Sequence, residues 1–307
     1  MDDRLGMNTW KPLRPGDTVA LIAPARAVSK EEMAPFMQWC DSHGLRVRPG
    51  RHLYDRLNQF AGKAEQRAAD FVEAWTDPEV KLVFAARGGY GCVQLLPFIP
   101  EEIWWQPGKL LCGFSDITTL NLALLKRGMM ALHGPMAIHW YMHQQDPGNI
   151  PALEQLLFKQ NIEIDLYNTL SEKQLPFNGI LTGGNLSILY SALGTPEQPD
   201  TDGKVLFIED LDEYLYHTDR MMRAMDRAGL LKNLAGMVVG GMADMKDNAI
   251  PFGKTAEEII REVCGSYGYP MLFGFPAGHI PKNVCLLLGA HCTFDGRFFR
   301  QNLNPVD

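Results

Sequence analysis

The chain has 307 residues, of which 46% are hydrophobic and 21% charged, and this length favours two lobes with a cleft between them. The formal net charge of -7 at pH 7 argues against nucleic acid and against an anionic membrane as partners. The six cysteines form no C-x-x-C pair, which argues against a zinc ribbon, and the N-terminus lacks the pattern of a signal peptide, so we expect a cytoplasmic protein.

In the first half of the chain, predicted strands alternate with predicted helices. The strands are expected at Asp17 to Ile22, Leu45 to Arg48, Val80 to Ala86 and Lys109 to Phe114. The helices are expected at Lys30 to His43, Lys63 to Thr76 and Asp116 to Arg127. Apolar strands separated by amphipathic helices are typical of βαβ units, so this half predicts an α/β lobe with a parallel sheet.

The periodicity weakens between about Tyr141 and Phe177, where Gln, Asn, Asp and Pro accumulate. We therefore predict an N-terminal domain at residues 1–140, a linker at 141–178 and a smaller C-terminal α/β domain at 179–307. The C-terminal domain is expected to begin with a glycine-rich turn at 179–184. Its strands and helices are expected at Lys204 to Ile208, Thr218 to Gly229, Gly236 to Gly240, Thr255 to Tyr267, Met271 to Phe275 and Val284 to Leu288.

Ser115 lies between a predicted strand and a predicted helix, in the segment GFSDIT. A serine on such a turn is held clear of the sheet, and the free amides at the start of the helix can stabilise an oxyanion. Serine is also a preferred helix N-cap, and Ile117 replaces the second glycine of the G-x-S-x-G motif. From these residues alone, a nucleophile and a capping residue are equally good interpretations of Ser115.

The segment RGGYG at residues 87–91 follows a predicted strand. Its glycines let the backbone turn sharply and present N–H groups to a ligand, so Gly88 or Gly89 could supply an oxyanion donor. A plain tight turn has the same pattern. Gln94 breaks the G-x-G-x-x-G spacing and no Walker motif occurs, so a nucleotide cofactor is not expected.

Candidates for a general base and its carboxylate partner lie in the second half of the chain. Glu209 and Asp210 end an apolar strand, where a carboxylate can point into a cleft or merely meet solvent, and the residues alone do not distinguish them. His279 lies in a constrained loop after a strand, whereas His291 lies in an apolar run. His279 is therefore the better candidate base.

Three histidines in the first half of the chain have a spacing that resembles that of metal ligands. His139 and His143 are four residues apart, and His133 is close to them. No glutamate accompanies them, and the H-E-x-x-H motif is absent. We therefore predict no metal site and no other cofactor.

A set of motifs runs through the chain in the order RGGYG, GFSDIT, HGPM, GILTGGNL, LFIED, DRM, GFPAGH and LLLGA. From Gly16 to about Gly289, this set resembles the ordered motifs of the LD-carboxypeptidases, also called muramoyl-tetrapeptide carboxypeptidases. The resemblance implies an N-terminal lobe similar to the class I glutamine amidotransferase fold and a smaller C-terminal α/β lobe. It also implies a homodimer.

The resemblance further implies a catalytic triad of Ser115 as nucleophile, Glu209 as carboxylate and His279 as general base. The implied backbone oxyanion donors are Asp116 and either Gly88 or, preferably, Gly89. The implied reaction releases terminal D-alanine from cytoplasmic murein tetrapeptides by cleaving the bond after the L-centre of the third residue. The expected partner is thus a small peptide, free or linked to a sugar, in murein recycling.

Three alternatives compete with this function. A subgroup similar to the same family hydrolyses microcin-type aminoacyl adenylates and gives immunity. A glutamine amidotransferase would need cysteine at the position of Ser115. A non-catalytic two-lobed binding protein is compatible with the alternating strands and helices alone.

Overall fold

The computed structural model describes residues 10–142, 150–160, 162–167 and 174–302. The strands are β1 Thr18–Ile22, β2 Arg46–Pro49, β3 Val80–Ala85, β4 Leu110–Cys112, β5 Ala131–His133, β6 Ile162–Asp165, β7 Phe177–Asn185, β8 Val205–Leu211, β9 Gly236–Ala243, β10 Met271–Leu272, β11 Leu286–Leu288, β12 His291–Phe294 and β13 Phe298–Asn302. The helices are α1 Lys30–Ser42, α2 Ala64–Thr76, α3 Thr118–Lys126, α4 Ile138–Met142, α5 Ile150–Lys159, α6 Leu186–Ser191, α7 Leu215–Arg227 and α8 Ala256–Cys264. None of the helices in these described ranges has both the length and the apolar character needed to cross a bilayer.

The first sheet has the order β11-β5-β4-β3-β1-β2, and its strands β1 to β5 are parallel. β1 is buried at every position, as expected for a central strand covered on both faces. Helix α1 begins where Ser29 forms a capping box with Glu32, since each residue's side chain accepts a hydrogen bond from the other's backbone N–H. The predicted parallel α/β arrangement of this half is confirmed.

The second sheet has the order β10-β9-β8-β7-β12-β13-β6. Strands β7 to β10 are parallel, and the three strands beyond β7 are antiparallel to their neighbours. Separate apolar clusters cover the two faces of this sheet. The protein is therefore a mixed α/β structure with two sheets, each containing a parallel core.

The predicted glycine-rich turn at 179–184 is wrong, because these residues belong to β7. A Cβ atom at Gly183 would lie 1.9 Å from the carbonyl oxygen of Phe207 on the adjacent strand β8. Glycine is needed here for close approach of two backbones in the sheet, and a turn gave the same sequence pattern.

Several further elements differ from the predicted order. The predicted linker at 141–178 contains α5 and β6, and the antiparallel strands β12 and β13 were not predicted. Strand β11, from within the predicted C-terminal domain, pairs antiparallel with β5 at the edge of the first sheet. The two sheets therefore do not divide the chain at a single linker, since β11 belongs to the first sheet while β6 to β10 before it and β12 and β13 after it belong to the second.

The start of α3 packs directly against β7, which brings the two sheets into contact. The backbone N–H of Asn185 donates to Oγ1 of Thr118 at 3.2 Å. A Cβ atom at Gly184 would lie 2.6 Å from Cγ2 of the same threonine. The carboxyl ends of β4 and β7 thus lie beside each other.

Candidate active site

Ser115 lies in a 3-10 turn between β4 and α3, and its φ is +63°. A left-handed conformation is uncommon for a residue with a side chain and is found at strained functional turns. The backbone carbonyl of Gly113, two residues before Ser115, accepts a hydrogen bond from Nδ2 of Asn121 at 3.1 Å, which ties the turn to α3. Ile117 occupies the N-cap position of α3 and makes no side-chain capping bond. Ser115 is therefore not the cap of this helix.

The RGGYG turn after β3 lies against Ser115. A Cβ atom at Gly88 would lie 3.3 Å from Cβ of Ser115, whereas one at Gly89 would meet the side chain of Arg26. Gly89 has a φ of +110°, which only glycine adopts without strain. Of the two predicted oxyanion donors in this turn, Gly88 is thus the one in contact with the candidate nucleophile.

Asp116, whose backbone amide is the other predicted oxyanion donor, has a buried side chain. Its carboxylate accepts a hydrogen bond from the backbone N–H of Cys92 at 2.8 Å, and burial raises the pKa of this carboxyl. The bond links the turn that carries Ser115 to the segment that follows RGGYG. Both predicted sources of oxyanion donors are thereby held together by the same side chain.

Glu209 and His279 form a hydrogen-bonded pair. Oε2 of Glu209 lies 2.7 Å from Nδ1 of His279 and accepts a second hydrogen bond from the backbone N–H of His279 at 3.2 Å. Glu209 is fully buried, whereas the His279 side chain is 15% exposed. A carboxylate bonded to Nδ1 leaves Nε2 as the nitrogen able to exchange a proton with a substrate or a hydroxyl group.

The turn that carries Ser115 contacts the Glu209–His279 pair through Phe114. The ring of Phe114, the residue before Ser115, has its centroid 4.7 Å from that of the His279 imidazole. Ser115 comes from the carboxyl end of β4, and Glu209 comes from β8 of the second sheet. Glu209 and His279 are therefore paired and Phe114 places Ser115 near them, while no hydrogen bond joins Ser115 to His279 among the described residues.

Asn185 and Asp210 belong to the same buried network, and sequence reasoning gave Asn185 no role. Nδ2 of Asn185 lies 3.3 Å from Oε1 of Glu209 and 2.9 Å from Oδ1 of Asp210. Oδ2 of Asp210 accepts hydrogen bonds from the backbone N–H and Oγ of Ser187. The only sequence signal for Asn185 was its place in the GILTGGNL motif, and in the structure it is the N-cap of α6.

The three histidines considered as metal ligands do not form such a site in the part of the chain that the structure describes. His133 is buried, and neither of its ring nitrogens has a hydrogen-bond partner among the described residues. Burial lowers the pKa of His133 to about 4. Nδ1 of His139 bonds to the backbone of Met136, and His143 lies outside the described residues.

We expect Gly278→Ala to lower kcat at least about 100-fold, because catalytic geometry is sensitive to displacements of about 1 Å. Gly278 has a φ of +106°, and a Cβ atom there would lie 2.7 Å from Oε2 of Glu209, the atom that holds His279. Gly253→Ala is the matched control, since Gly253 has a φ of +84° with nothing within 4 Å. Steady-state kinetics of both variants tests this, and equal kcat values would contradict it.

We expect Asp210→Asn to change how stability depends on pH. Burial raises the pKa of the Asp210 carboxyl to about 6 from an ordinary 3.8. Between these values the folded protein holds a proton that the unfolded chain has released, so the contribution of Asp210 to the free energy of unfolding falls as pH rises to 6 and above. Asparagine cannot titrate. From pH 4 to pH 7 the stability difference should therefore shift in favour of the variant, by up to about 3 kcal/mol.

Urea unfolding of both proteins at several pH values between 4 and 7 measures this shift. Asp41→Asn, an exposed position on α1, is the control. Parallel stability curves for the wild type and Asp210→Asn would show that Asp210 titrates normally in the folded protein.

Comparison with known proteins gives a consistent family assignment. The LD-carboxypeptidase N-terminal domain matches residues 19–134, and the LD-carboxypeptidase C-terminal domain matches residues 178–294. The chain is 33% identical over 300 residues to a probable murein peptide carboxypeptidase of Bacillus subtilis (strain 168), with 93% of this chain and 91% of the relative covered.

Solved structures agree with this match. The crystal structure of muramoyltetrapeptide carboxypeptidase from Oxalobacter formigenes superimposes with a TM-score of 0.85 at 27% identity, covering 94% of this chain and 100% of that one. The microcin C7 self immunity protein MccF has a TM-score of 0.83 at 21% identity, covering 96% of this chain and 98% of its own, and this likeness shows the fold alone. The motif order, the two domain matches and the identity to the Bacillus relative together establish that the chain belongs to the LD-carboxypeptidase family, peptidase family S66.

Proposed function

We propose that the protein is a serine carboxypeptidase that releases terminal D-alanine from murein tetrapeptides by hydrolysing the L,D-peptide bond. The observation that carries this proposal is the buried Glu209 bonded to Nδ1 of His279, in ring contact with the residue that precedes Ser115. The names of the Bacillus and Oxalobacter relatives supply the substrate class.

In the proposed reaction, Nε2 of His279 takes the proton of the Ser115 hydroxyl as its oxygen attacks the scissile carbonyl carbon. Glu209 fixes the imidazole tautomer and stabilises the imidazolium that forms. The imidazolium then gives its proton to the leaving amine of D-alanine, and an acyl-enzyme remains on Ser115. Water, activated by the same histidine, hydrolyses this ester and frees the tripeptide.

The tetrahedral intermediate carries negative charge on the former carbonyl oxygen. Its proposed donors are the backbone N–H of Asp116 and one N–H of the RGGYG turn. The contact between Gly88 and Ser115 supports Gly88 as that second donor, in place of the Gly89 preferred on sequence grounds. All groups in this scheme belong to the protein or the substrate, and no metal or other cofactor is invoked.

The proposal includes the setting of the reaction. A cytoplasmic enzyme would return the tripeptide product to cell-wall synthesis, which is murein recycling. The likeness of the N-terminal lobe to the class I glutamine amidotransferase fold, and a homodimeric assembly, are parts of the same proposal. An acidic net charge of -7 supports a small peptide as substrate over nucleic acid or a membrane surface.

Two assays test the function: release of free D-alanine from a tetrapeptide and a pentapeptide, and hydrolysis of an aminoacyl adenylate. We expect D-alanine from the tetrapeptide and little turnover of the other two compounds. Preferred hydrolysis of the aminoacyl adenylate would favour the microcin-immunity activity instead. Absence of turnover together with no labelling by an active-site serine reagent would favour a binding protein.

A further inference from the structure

We infer that Arg26 binds the terminal carboxylate of the peptide substrate and thereby restricts the enzyme to C-terminal residues. This inference rests on the proposed carboxypeptidase function and names a specificity-determining residue for it. Three observations support this role for Arg26: its position in the first sheet, its packing on the RGGYG turn, and the absence of a hydrogen-bond or ion-pair partner for its guanidinium group among the described residues.

The place of Arg26 follows from the strand order of the first sheet. Strands β4, β3 and β1 are adjacent and parallel, so their carboxyl ends lie in a row. Ser115 follows β4, the RGGYG turn follows β3, and Arg26 follows β1. Since adjacent strands are about 4.8 Å apart, the backbones of β1 and β4 are separated by roughly 10 Å, a gap that a long arginine side chain can largely cross. Ligands of open α/β sheets bind at this edge.

The side chain of Arg26 lies directly on the RGGYG turn. A Cβ atom at Gly89 would be 2.5 Å from Cδ and 2.6 Å from Nε of Arg26, so the arginine occupies the space that a side chain would fill. The backbone N–H of Arg26 also donates to the carbonyl of Gly88 at 3.4 Å. Gly88 in turn contacts Ser115. Arg26 is therefore held one residue away from the contact between the turn and the candidate nucleophile.

The charge of Arg26 is not neutralised within the described residues. Its exposed guanidinium group makes no hydrogen bond or ion pair there, although the residues around it do. Arg87 faces Glu32, with 3.6 Å between Nη1 and Oε1. The buried Arg67 donates to the backbone carbonyls of Pro24 and Gly91. Of the three arginines around this turn, Arg26 is the one with its charge directed to no described group.

A cation close to the nucleophile would suit the chemistry of the substrate. In a C-terminal residue, only the nitrogen and the α-carbon separate the scissile carbonyl from the terminal carboxylate. A planar guanidinium group binds a carboxylate through two parallel hydrogen bonds, which adds geometric selection to charge attraction. An internal peptide bond offers a neutral carbonyl at this position and would leave Arg26 unpaired, so endopeptidase substrates are discriminated against.

The test compares a tetrapeptide ending in a free D-alanine carboxylate with the same peptide ending in D-alanine amide. We expect the wild type to prefer the free acid roughly 10- to 100-fold in kcat/KM, the range given by one hydrogen-bonded charge pair. Arg26→Met should lose most of this preference through a higher KM for the acid, while its kcat/KM for the amide changes little. Arg26→Lys, which keeps the charge, should restore part of the preference.

Arg46→Met is the matched control, since Arg46 is exposed and lies at the amino end of β2, whereas Arg26 lies beyond the carboxyl end of β1. We expect its ratio of acid to amide to equal that of the wild type. A wild-type ratio in Arg26→Met, with its fold verified by circular dichroism, would overturn the inference. A wild type that releases neither D-alanine from the acid nor D-alanine amide from the amide would instead overturn the proposed function, so the two failures are distinguishable.

Discussion

Ser115→Ala is expected to abolish D-alanine release, with a fall in kcat on the order of 10⁶, while the fold stays intact. The loss is large because, in the proposed reaction, the Ser115 hydroxyl supplies the oxygen that attacks the carbonyl carbon. Alanine at position 115, where φ is +63°, removes one oxygen and leaves the backbone conformation no more strained than before. Single-turnover kinetics with a tetrapeptide, combined with circular dichroism, measures both effects.

Ser29→Ala is the matched control for this prediction. Ser29 caps α1, so its substitution should cost about 1 kcal/mol of stability and leave kcat unchanged. The two variants thus separate a chemical role of serine from a structural one. Near-normal D-alanine release by Ser115→Ala would show that another residue is the nucleophile.

Glu209→Gln is expected to lower kcat by up to about 10⁴. The glutamine amide can turn its NH₂ group toward Nδ1 of His279, which stabilises the tautomer in which Nε2 carries the proton and cannot accept one. Glu209 is fully buried and Oε2 has two hydrogen bonds from His279, so no water can replace it without rearrangement. Measuring kcat and KM on the tetrapeptide tests the role.

Asp210→Asn is the matched control for Glu209→Gln and should be mild in kcat. The oxygens of Asp210 accept hydrogen bonds from Asn185, Ser187 and the backbone N–H of Leu211. Successive side chains of a strand point to opposite faces. The amide of Asn185 nevertheless contacts both carboxylates, so Asp210 belongs to the same network as Glu209. Severe loss of activity in Asp210→Asn beside a nearly normal Glu209→Gln would exchange the roles of the two carboxylates.

The strands and helices of the first half were predictable because their signals are local. β1 is a buried, mostly apolar run and β3 is apolar except for Lys81, and α1 begins with a serine cap and a glutamate three residues later. The sheet that contains β11 was not predictable in this way. The pairing of β11 with β5 joins segments about 150 residues apart, and three apolar residues carry no information about their partner strand.

The glycines at 179–184 are compatible with either a turn or a closely packed strand. The glycines of β7 predicted a turn, yet Gly183 serves close packing against β8 and Gly184 makes room for Thr118. The same residue type forms a true turn at RGGYG. Composition alone does not separate these uses of glycine, because the neighbouring backbone that decides between them is distant in sequence.

The prediction of the candidate site depended more on the family resemblance than on local sequence patterns. Sequence reasoning left Ser115 open between cap and nucleophile, and it left Glu209 and Asp210 undistinguished. The structure excludes the cap, because Ile117 occupies the N-cap position of α3, and the role of Ser115 as nucleophile stays a prediction. Asn185 and Arg26 escaped notice because each is recognised only by a spatial neighbour, Glu209 or Gly89, that no spacing rule connects to it.

The return of β11 to the first sheet has a consequence for how the protein is made. A ribosome adds roughly 5–20 residues per second. One side of β5 therefore stays unpaired for on the order of 10 s after its own synthesis, until β11 emerges. During that interval the unpaired backbone groups of this apolar strand can pair with another chain, which leads to aggregation. We expect nascent chains that stop before residue 284 to depend on chaperones, and C-terminal truncation to damage the N-terminal sheet and the seat of Ser115 along with it.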